Sequence, residues 1–112
     1  MLVLPDADIG LAADAAVSAA FGSAGERCMA ISVVVVVGEA ADPLVDAIAE
    51  RTRALTIGDG MDPASEMGPL VTREARDRVE SSIAAGADAG AKVVLDGREA
   101  GFDGDGYFLG CT

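Results

Sequence analysis

The run ISVVVVVG at residues 31–38 constrains the fold of this chain more than any other segment. β-branched side chains favour strands, and an unbroken apolar run is typical of a strand that is buried on both faces. Such strands occur in parallel sheets that carry helices on either side. A central strand also needs neighbours at both edges, and the rest of this 112-residue chain offers few strand patterns. The run therefore predicts part of a larger three-layer sheet.

Helical patterns lie on both sides of this strand, each beginning at a residue that can accept a hydrogen bond from the first turn. The predicted helices cover residues 5–21, 41–55 and 72–91. Their expected N-caps are Asp6, Asp42 and Thr72. An ion pair between Glu74 and Arg78 is expected on the third helix. Residues 56–71 are predicted to form a loop, and short strands are expected at residues 92–97 and from residue 107 onward. This order of elements predicts an α/β fold with an incomplete parallel sheet and flanking helices.

The charge balance excludes several classes of partner. Nineteen acidic residues against eight basic ones give a net charge of −11, which repels nucleic acid and anionic membranes. The apolar runs are too short to span a bilayer, and no export signal is visible, so we expect no membrane association and a cytoplasmic location. The chain has no histidine, which excludes Ser-His-Asp or Cys-His machinery within it and nearly all classical zinc sites. We expect no metal.

The segment FGSAGERCMA, residues 21–30, holds the candidate catalytic residue, Cys28. Small residues before the thiol leave space for a substrate, and a nucleophile's own N–H often stabilises the oxyanion that forms on a carbonyl. Arg27 favours the thiolate, whereas Glu26 opposes it. The alternative is a core thiol without reactivity, which composition alone favours because free cysteines are mostly buried.

Other acidic positions have simpler interpretations. Residues 103–106, DGDG, are similar to the start of a calcium loop but lack the later ligands, so a turn is expected. Asp62 and Glu66 could be read as an acid–base pair, but solvated loop acids are the default. Gly58-Asp59-Gly60 does not begin a dinucleotide-binding motif, because Pro63 stands where the third glycine would be.

FGSAGERCMA resembles the catalytic-cysteine segment of the aldehyde dehydrogenase superfamily, approximately F-x-x-x-G-Q/E-x-C. The Met-Ala after the cysteine is similar to the coenzyme A-acylating, methylmalonate-semialdehyde branch. Further segments resemble the family in the right order: VLPDADI (3–9), IGDGMDPASEMGPLVT (57–72), GAKVVLDGR (90–98) and GYFLG (106–110). The chain departs from the family at Glu26, where Gln is commoner, and at Cys111, where the family has proline. Cys111 therefore has no counterpart with a known role.

The resemblance implies that Cys28 is the nucleophile and that its backbone N–H forms half of an oxyanion hole. The thiolate would add to an aldehyde, expected to be methylmalonate semialdehyde, and give a thiohemiacetal. Hydride transfer to NAD would leave a thioacyl enzyme, and coenzyme A would take the acyl group; water does so in hydrolytic relatives. NAD and coenzyme A are thus the implied co-substrates, and the parent enzyme is expected to be a homodimer or homotetramer.

The same resemblance places most of the active site elsewhere. The family's NAD-binding domain, the asparagine of its oxyanion hole and a downstream cofactor-contacting segment have no match in residues 1–112, and the chain contains no asparagine. We expect residues 1–112 to be a partial three-layer αβα catalytic domain without the NAD-binding domain, and inactive alone. The alternative is a non-enzymatic assembly protein, a split half that pairs with a partner chain through its valine strand edges.

Overall fold

The computed structural model describes residues 1–102 and 105–112, which form two compact units, Met1–Leu55 and Thr56–Thr112. The strands and helices of the first unit are β1 (Leu2–Val3), α1 (Ile9–Phe21), β2 (Val35–Val36) and α2 (Ala41–Ala54). A short 3₁₀ turn occupies Gly38–Ala40, and Gly22–Gly25 form an irregular turn that contains left-handed residues. The second unit contains α3 (Arg73–Asp88) and a 3₁₀ turn at Gly97–Glu99.

β1 and β2 form a parallel pair in which Leu2 lies opposite Val35 and Val3 opposite Val36. The parallel strand predicted within residues 31–38 is therefore confirmed, although only Val35–Val36 are paired. β1 was not predicted, because four apolar residues before Pro5 are too few for a periodic signal. The predicted burial of both strand faces is wrong, since Val33 and Val37 are exposed together with Val35. Two helices cover one face of this sheet, and nothing in the first unit covers the other.

The core of the first unit lies where α1 and α2 meet the covered face of the sheet. Val3, Ala13 and Leu44 are its fully buried centre, and Val34 and Val36 pack against it from the strand. An alanine at position 13 lets α1 approach its neighbours closely, because its side chain ends at Cβ. Arg51 ties the two helices together: it pairs with Asp14 of α1, and its guanidinium also donates to backbone carbonyls of both helices.

Two of the three predicted N-caps differ from those in the structure. α1 begins at Ile9, and the Asp8 carboxylate caps it by accepting from Leu11 N at 2.9 Å. Asp6 lies instead in the preceding turn, which the N–H of Ala7 closes. The helix predicted at residues 41–55 is confirmed as α2, but it continues from a 3₁₀ turn and has no side-chain cap, so Asp42 lies within its first turn.

The third predicted helix and its cap are confirmed. Thr72 Oγ1 accepts from Ala75 N at 3.1 Å at the start of α3. The predicted Glu74–Arg78 ion pair is wrong: the pair one turn along the helix is Arg76 with Glu80, at 3.5 Å. The Glu74 carboxylate instead accepts hydrogen bonds from its own backbone N–H and from the Thr72 hydroxyl. These hydrogen bonds lower the pKa of the Glu74 carboxyl.

Turns and single hydrogen bonds stabilise the second unit. The strands expected at residues 92–97 and from residue 107 onward are not formed. In the part of the chain that the structure describes, no strand lies beside either segment to pair with it. Their backbone groups find isolated partners: Leu70 donates to Tyr107 at 3.0 Å, and Gly97 N donates to Thr112 Oγ1 at 3.0 Å. Residues 56–71 form the predicted loop, with a single bridge between Ile57 and Met67. The described helices include none long and apolar enough to cross a membrane.

Candidate active site

Cys28 lies at the tip of a tight turn between α1 and β2. The N–H of Ala30 donates to the carbonyl of Arg27 at 3.0 Å, which closes the turn and leaves Cys28 and Met29 as its two central residues. Both are exposed, Met29 by 85%. Cys28 is thus accessible in this chain and is not the packed core thiol of the alternative interpretation.

Between α1 and this turn, the backbone reverses direction through strained conformations. α1 ends where Gly22 N–H bonds to the carbonyl of Ser18. Ser23, Ala24 and Gly25 then adopt three successive left-handed conformations, with φ of 55°, 54° and 74°. Glycine accepts such angles freely, but a residue with a Cβ resists them by about 1–2 kcal/mol. Sequence reasoning found these small residues but not their backbone conformation; the only signal was their size.

Arg27 lies beside the last residues of α1. Its guanidinium lies against Gly22, so that a Cβ at Gly22 would come within 2.8 Å of Arg27 Cζ. This is the carboxyl end of α1, where the helix dipole favours positive charge. Arg27 therefore stabilises the end of the helix before the turn. Its expected effect on the Cys28 thiol stays a prediction.

The backbone N–H of Cys28 is available to a ligand. The nearby amides of Glu26, Ala30 and Ile31 donate to carbonyls within the same segment or in α1. Within residues 1–102 and 105–112, by contrast, no group accepts a hydrogen bond from Cys28 N. A carbonyl oxygen of a molecule attacked by the thiol would lie within reach of this donor, which is the arrangement that stabilises an oxyanion.

The second cysteine has the opposite environment. Cys111 is buried, and its Sγ lies 3.7 Å from Met67 Sδ. Burial raises the pKa of the Cys111 thiol to about 11, because the protein interior disfavours the thiolate. Since the thiolate is the nucleophile, Cys111 is a packing residue of the second unit.

The loop acids considered as catalytic groups have structural partners. Asp62 Oδ1 accepts from Ala64 N, and Glu66 Oε2 accepts from Thr56 N, both at 2.9 Å. The acid–base interpretation of this pair therefore loses its basis. The turn predicted at residues 103–106 falls on Asp103 and Gly104, which lie outside the described residues. Among the residues that are described, no group of three cysteine or acidic side chains is close enough to hold a metal ion.

The connection from β1 to α1 is acidic. In the first unit the connection from β1 to α1 carries Asp6 and Asp8 where a dinucleotide-binding fold has glycines. The Asp8 carboxylate already occupies the N-terminus of α1 by accepting from Leu11 N. A pyrophosphate there would meet negative charge instead of free amides.

Comparison with known proteins identifies relatives along the whole chain. Residues 1–112 match the family model described as "Aldehyde dehydrogenase family". A malonate-semialdehyde dehydrogenase of Halalkalibacterium halodurans is 45% identical over 99% of the chain. The acylating, mitochondrial methylmalonate-semialdehyde dehydrogenase of Arabidopsis thaliana is 43% identical over the same share. A solved structure from Sinorhizobium meliloti, described as a methylmalonate-semialdehyde dehydrogenase complexed with NAD, is 48% identical and superposes on 98% of the chain with a TM-score of 0.94.

The chain is short beside these relatives. It spans 23% of the H. halodurans protein, 18% of the A. thaliana protein and 23% of the S. meliloti structure. The fold class expected from the sequence is confirmed by the structural match, as part of the α/β fold of these enzymes.

Proposed function

The chain belongs to the aldehyde dehydrogenase family, and from this premise we propose that Cys28 is the nucleophile of an enzyme that oxidises an aldehyde to a thioester. The observation that supports the proposal best is the exposed thiol at the tip of the 27–30 turn, beside its own N–H, for which the described part of the chain offers no acceptor. Ser23, Ala24 and Gly25, which precede the turn, are small, and we infer that a substrate carbonyl can approach both groups from their side.

The step that these residues can perform is addition. The Cys28 thiolate forms a bond to the carbonyl carbon, the carbonyl π electrons move to oxygen, and the N–H of Cys28 donates to that oxygen. Protonation of the oxygen gives a thiohemiacetal. The left-handed turn at Ser23–Gly25 and the anchoring of Ile31 N on the carbonyl of Ala19 hold the thiol in position on either side.

We place the sites for oxidation of the adduct and for release of the acyl group outside residues 1–112. The parent enzyme uses NAD as the oxidant, as the NAD-bound S. meliloti relative suggests. Coenzyme A is the proposed acyl acceptor because the A. thaliana relative bears the word acylating in its name. We propose that residues 1–112 are a partial catalytic domain, that the NAD-binding domain belongs to the rest of the parent, and that the parent is a homodimer or homotetramer.

The proposed aldehyde is a short semialdehyde that carries a carboxylate, with methylmalonate semialdehyde first and malonate semialdehyde second. The names of the relatives support this class. The net charge of −11 repels such an anion at long range, and we propose that a cationic group of the parent binds the substrate's carboxylate.

A chimera tests the role of Cys28. The segment of the S. meliloti relative that matches residues 1–112 is exchanged for this chain, and NADH formation from methylmalonate semialdehyde is measured with coenzyme A present. We expect activity in the chimera, its loss in Cys28→Ser, and its retention in Cys111→Ser. Without coenzyme A, intact-mass analysis should find the acyl adduct on Cys28. An active Cys28→Ser chimera would refute the assignment. The 112-residue chain alone is expected to form no NADH.

A further inference from the structure

A cavity of about 440 Å³ opens in the second unit, between the loop at residues 56–71 and the segment that begins at residue 101. Small-molecule sites usually have volumes of about 300–1,000 Å³, so this cavity has room for a small ligand. The residues that line it include Ile57, Asp59, Gly101, Phe102, Asp105 and Phe108. Two acidic segments that the sequence left without a role, one before Gly60 and one before Gly106, thus contribute to a single cavity.

Backbone hydrogen bonds hold the two walls of the cavity. On the loop side, Gly58 N donates to the carbonyl of Met67 at 3.0 Å. On the other side, the carbonyl of Tyr107 accepts from Leu70 N, also at 3.0 Å. Both bonds end within residues 67–70, so one short stretch of chain anchors both walls. The cavity is therefore part of the folded second unit.

The lining combines aromatic rings with acidic groups. Phe102 and Phe108 are half-buried and pack against each other, with ring centroids 5.7 Å apart. Asp59 and Asp105 belong to exposed residues. Among the residues that the structure describes, neither of these aspartates forms an ion pair with an arginine or a lysine. The cavity thus offers two uncompensated negative charges beside an apolar surface.

We propose that this cavity binds an organic cation, a small molecule in which an ammonium group is attached to an apolar body. The ammonium pairs with the carboxylates of Asp59 and Asp105, and such charge-assisted hydrogen bonds are stronger than neutral ones. The apolar body lies against Phe102 and Phe108, whose ring faces also attract a positive charge. The proposal rests on the second unit alone and does not depend on the chemistry of Cys28.

Charge and ligand number argue against other small molecules in this cavity. A semialdehyde that carries a carboxylate is an anion, as are NAD and coenzyme A, so the two aspartates would repel all three. A calcium ion takes about six to eight oxygen ligands. In the part of the chain that the structure describes, no three acidic side chains are close enough to hold a metal ion, and the phenylalanine rings add no oxygen. An organic cation uses both the carboxylates and the rings.

An NMR titration of the 112-residue chain with benzylammonium chloride is the first test. We expect saturable shifts of the Gly101 amide and of the ring protons of Phe108. Benzyl alcohol and ammonium chloride each lack one half of the ligand and should bind about tenfold or more weakly. Asp105→Asn should weaken benzylammonium binding by about fivefold or more. Asp88→Asn is the matched control, because it removes the same charge from an exposed position on α3 outside the cavity. Equal affinities of these two variants, or of benzylammonium and benzyl alcohol, would overturn the proposal.

The chimera covers the case in which the isolated chain does not fold. Binding is followed by the line broadening of 4-fluorobenzylammonium in ¹⁹F NMR spectra, which suits a large protein. A Cβ at Gly101 or at Gly60 meets no atom within 4 Å, but only Gly101 lines the cavity. Gly101→Leu should therefore abolish the broadening, and Gly60→Leu should retain it. Equal broadening in these two variants would refute the site.

The chimera also separates this proposal from the role of Cys28. Cys28→Ser should lose dehydrogenase activity and still broaden the ¹⁹F signal as the unmodified chimera does. If the 112-residue chain binds benzylammonium and the chimera does not, a group of the parent occupies the cavity. That result would overturn the proposal of a free organic cation as the ligand.

Discussion

The two cysteines should differ sharply in reactivity, and the difference can be worked out for Cys111. Its thiol is 7% exposed, contacts Met67, and has its pKa raised by burial from 9.0 to about 11. Two units of pKa mean about a hundredfold less thiolate at any pH well below 9, and the thiolate is the reacting species. Burial also restricts the access of a reagent to the thiol, which slows the reaction further.

Single-cysteine variants allow the measurement. In a Cys28→Ser background, alkylation of Cys111 by iodoacetamide at pH 8 should be at least about a hundredfold slower in the folded chain than in urea. In a Cys111→Ser background, Cys28 should react without denaturant, because it is exposed. A folded-state rate for Cys111 within tenfold of its unfolded rate would refute the argument from burial.

The same shift predicts a pH dependence of stability. A thiol whose pKa is raised in the folded state stabilises the fold below its unfolded pKa and stops doing so as the pH rises through the folded value. The contribution of Cys111 should therefore be complete below pH 9 and be lost by about pH 11. Urea unfolding of the Cys28→Ser variant across this range, with a Cys28→Ser, Cys111→Ala variant as control, measures the loss.

Three further predictions concern the backbone and one carboxyl. Gly97→Ala should lower the free energy of unfolding by about 2–3 kcal/mol or more, because its Cβ would collide with the backbone carbonyl of Gly110. Gly86→Ala, where α3 leaves open space, should raise the free energy of unfolding by about 0.5–1 kcal/mol; urea unfolding measures both. Ala24→Gly should leave the free energy of unfolding nearly unchanged or raise it by less than about 1 kcal/mol, because glycine adopts the positive φ of position 24 without strain. Ala15→Gly within α1 should lower the free energy of unfolding by about 1 kcal/mol. Equal losses in the two variants would contradict the strained turn. Hydrogen bonds from Arg98 lower the pKa of Asp96 from 3.8 to about 2, so the stabilising effect of the Asp96 carboxylate should be present above pH 4 and vanish toward pH 2. Asp96→Asn should lack this part of the acid dependence in thermal unfolding.

Local patterns predicted the helices well and their first residues less well. α3 and its Thr72 cap were predictable, because a threonine before a polar–apolar period has a local partner three residues on. The cap of α1 was not, since Asp6 and Asp8 are equally good acceptors and only the turn closed by Ala7 decides between them. The expected strands after residue 91 failed for a different reason: a strand exists only where another pairs with it.

Cys28 could be singled out from its small neighbours and its resemblance to a known segment, but its accessibility could not. The sequence by itself determined the α/β pattern, the three helices and the parallel character of the valine run, because helix periodicity and β-branching act within a few residues. Only the tertiary structure decided which valines are covered, which aspartate caps α1, and where Arg27 lies. It also decided that Cys111 is buried while Cys28 lies at the tip of a turn. Burial and long-range pairing depend on residues that are distant in the sequence and close in the fold. The neighbours of a residue along the chain do not determine them.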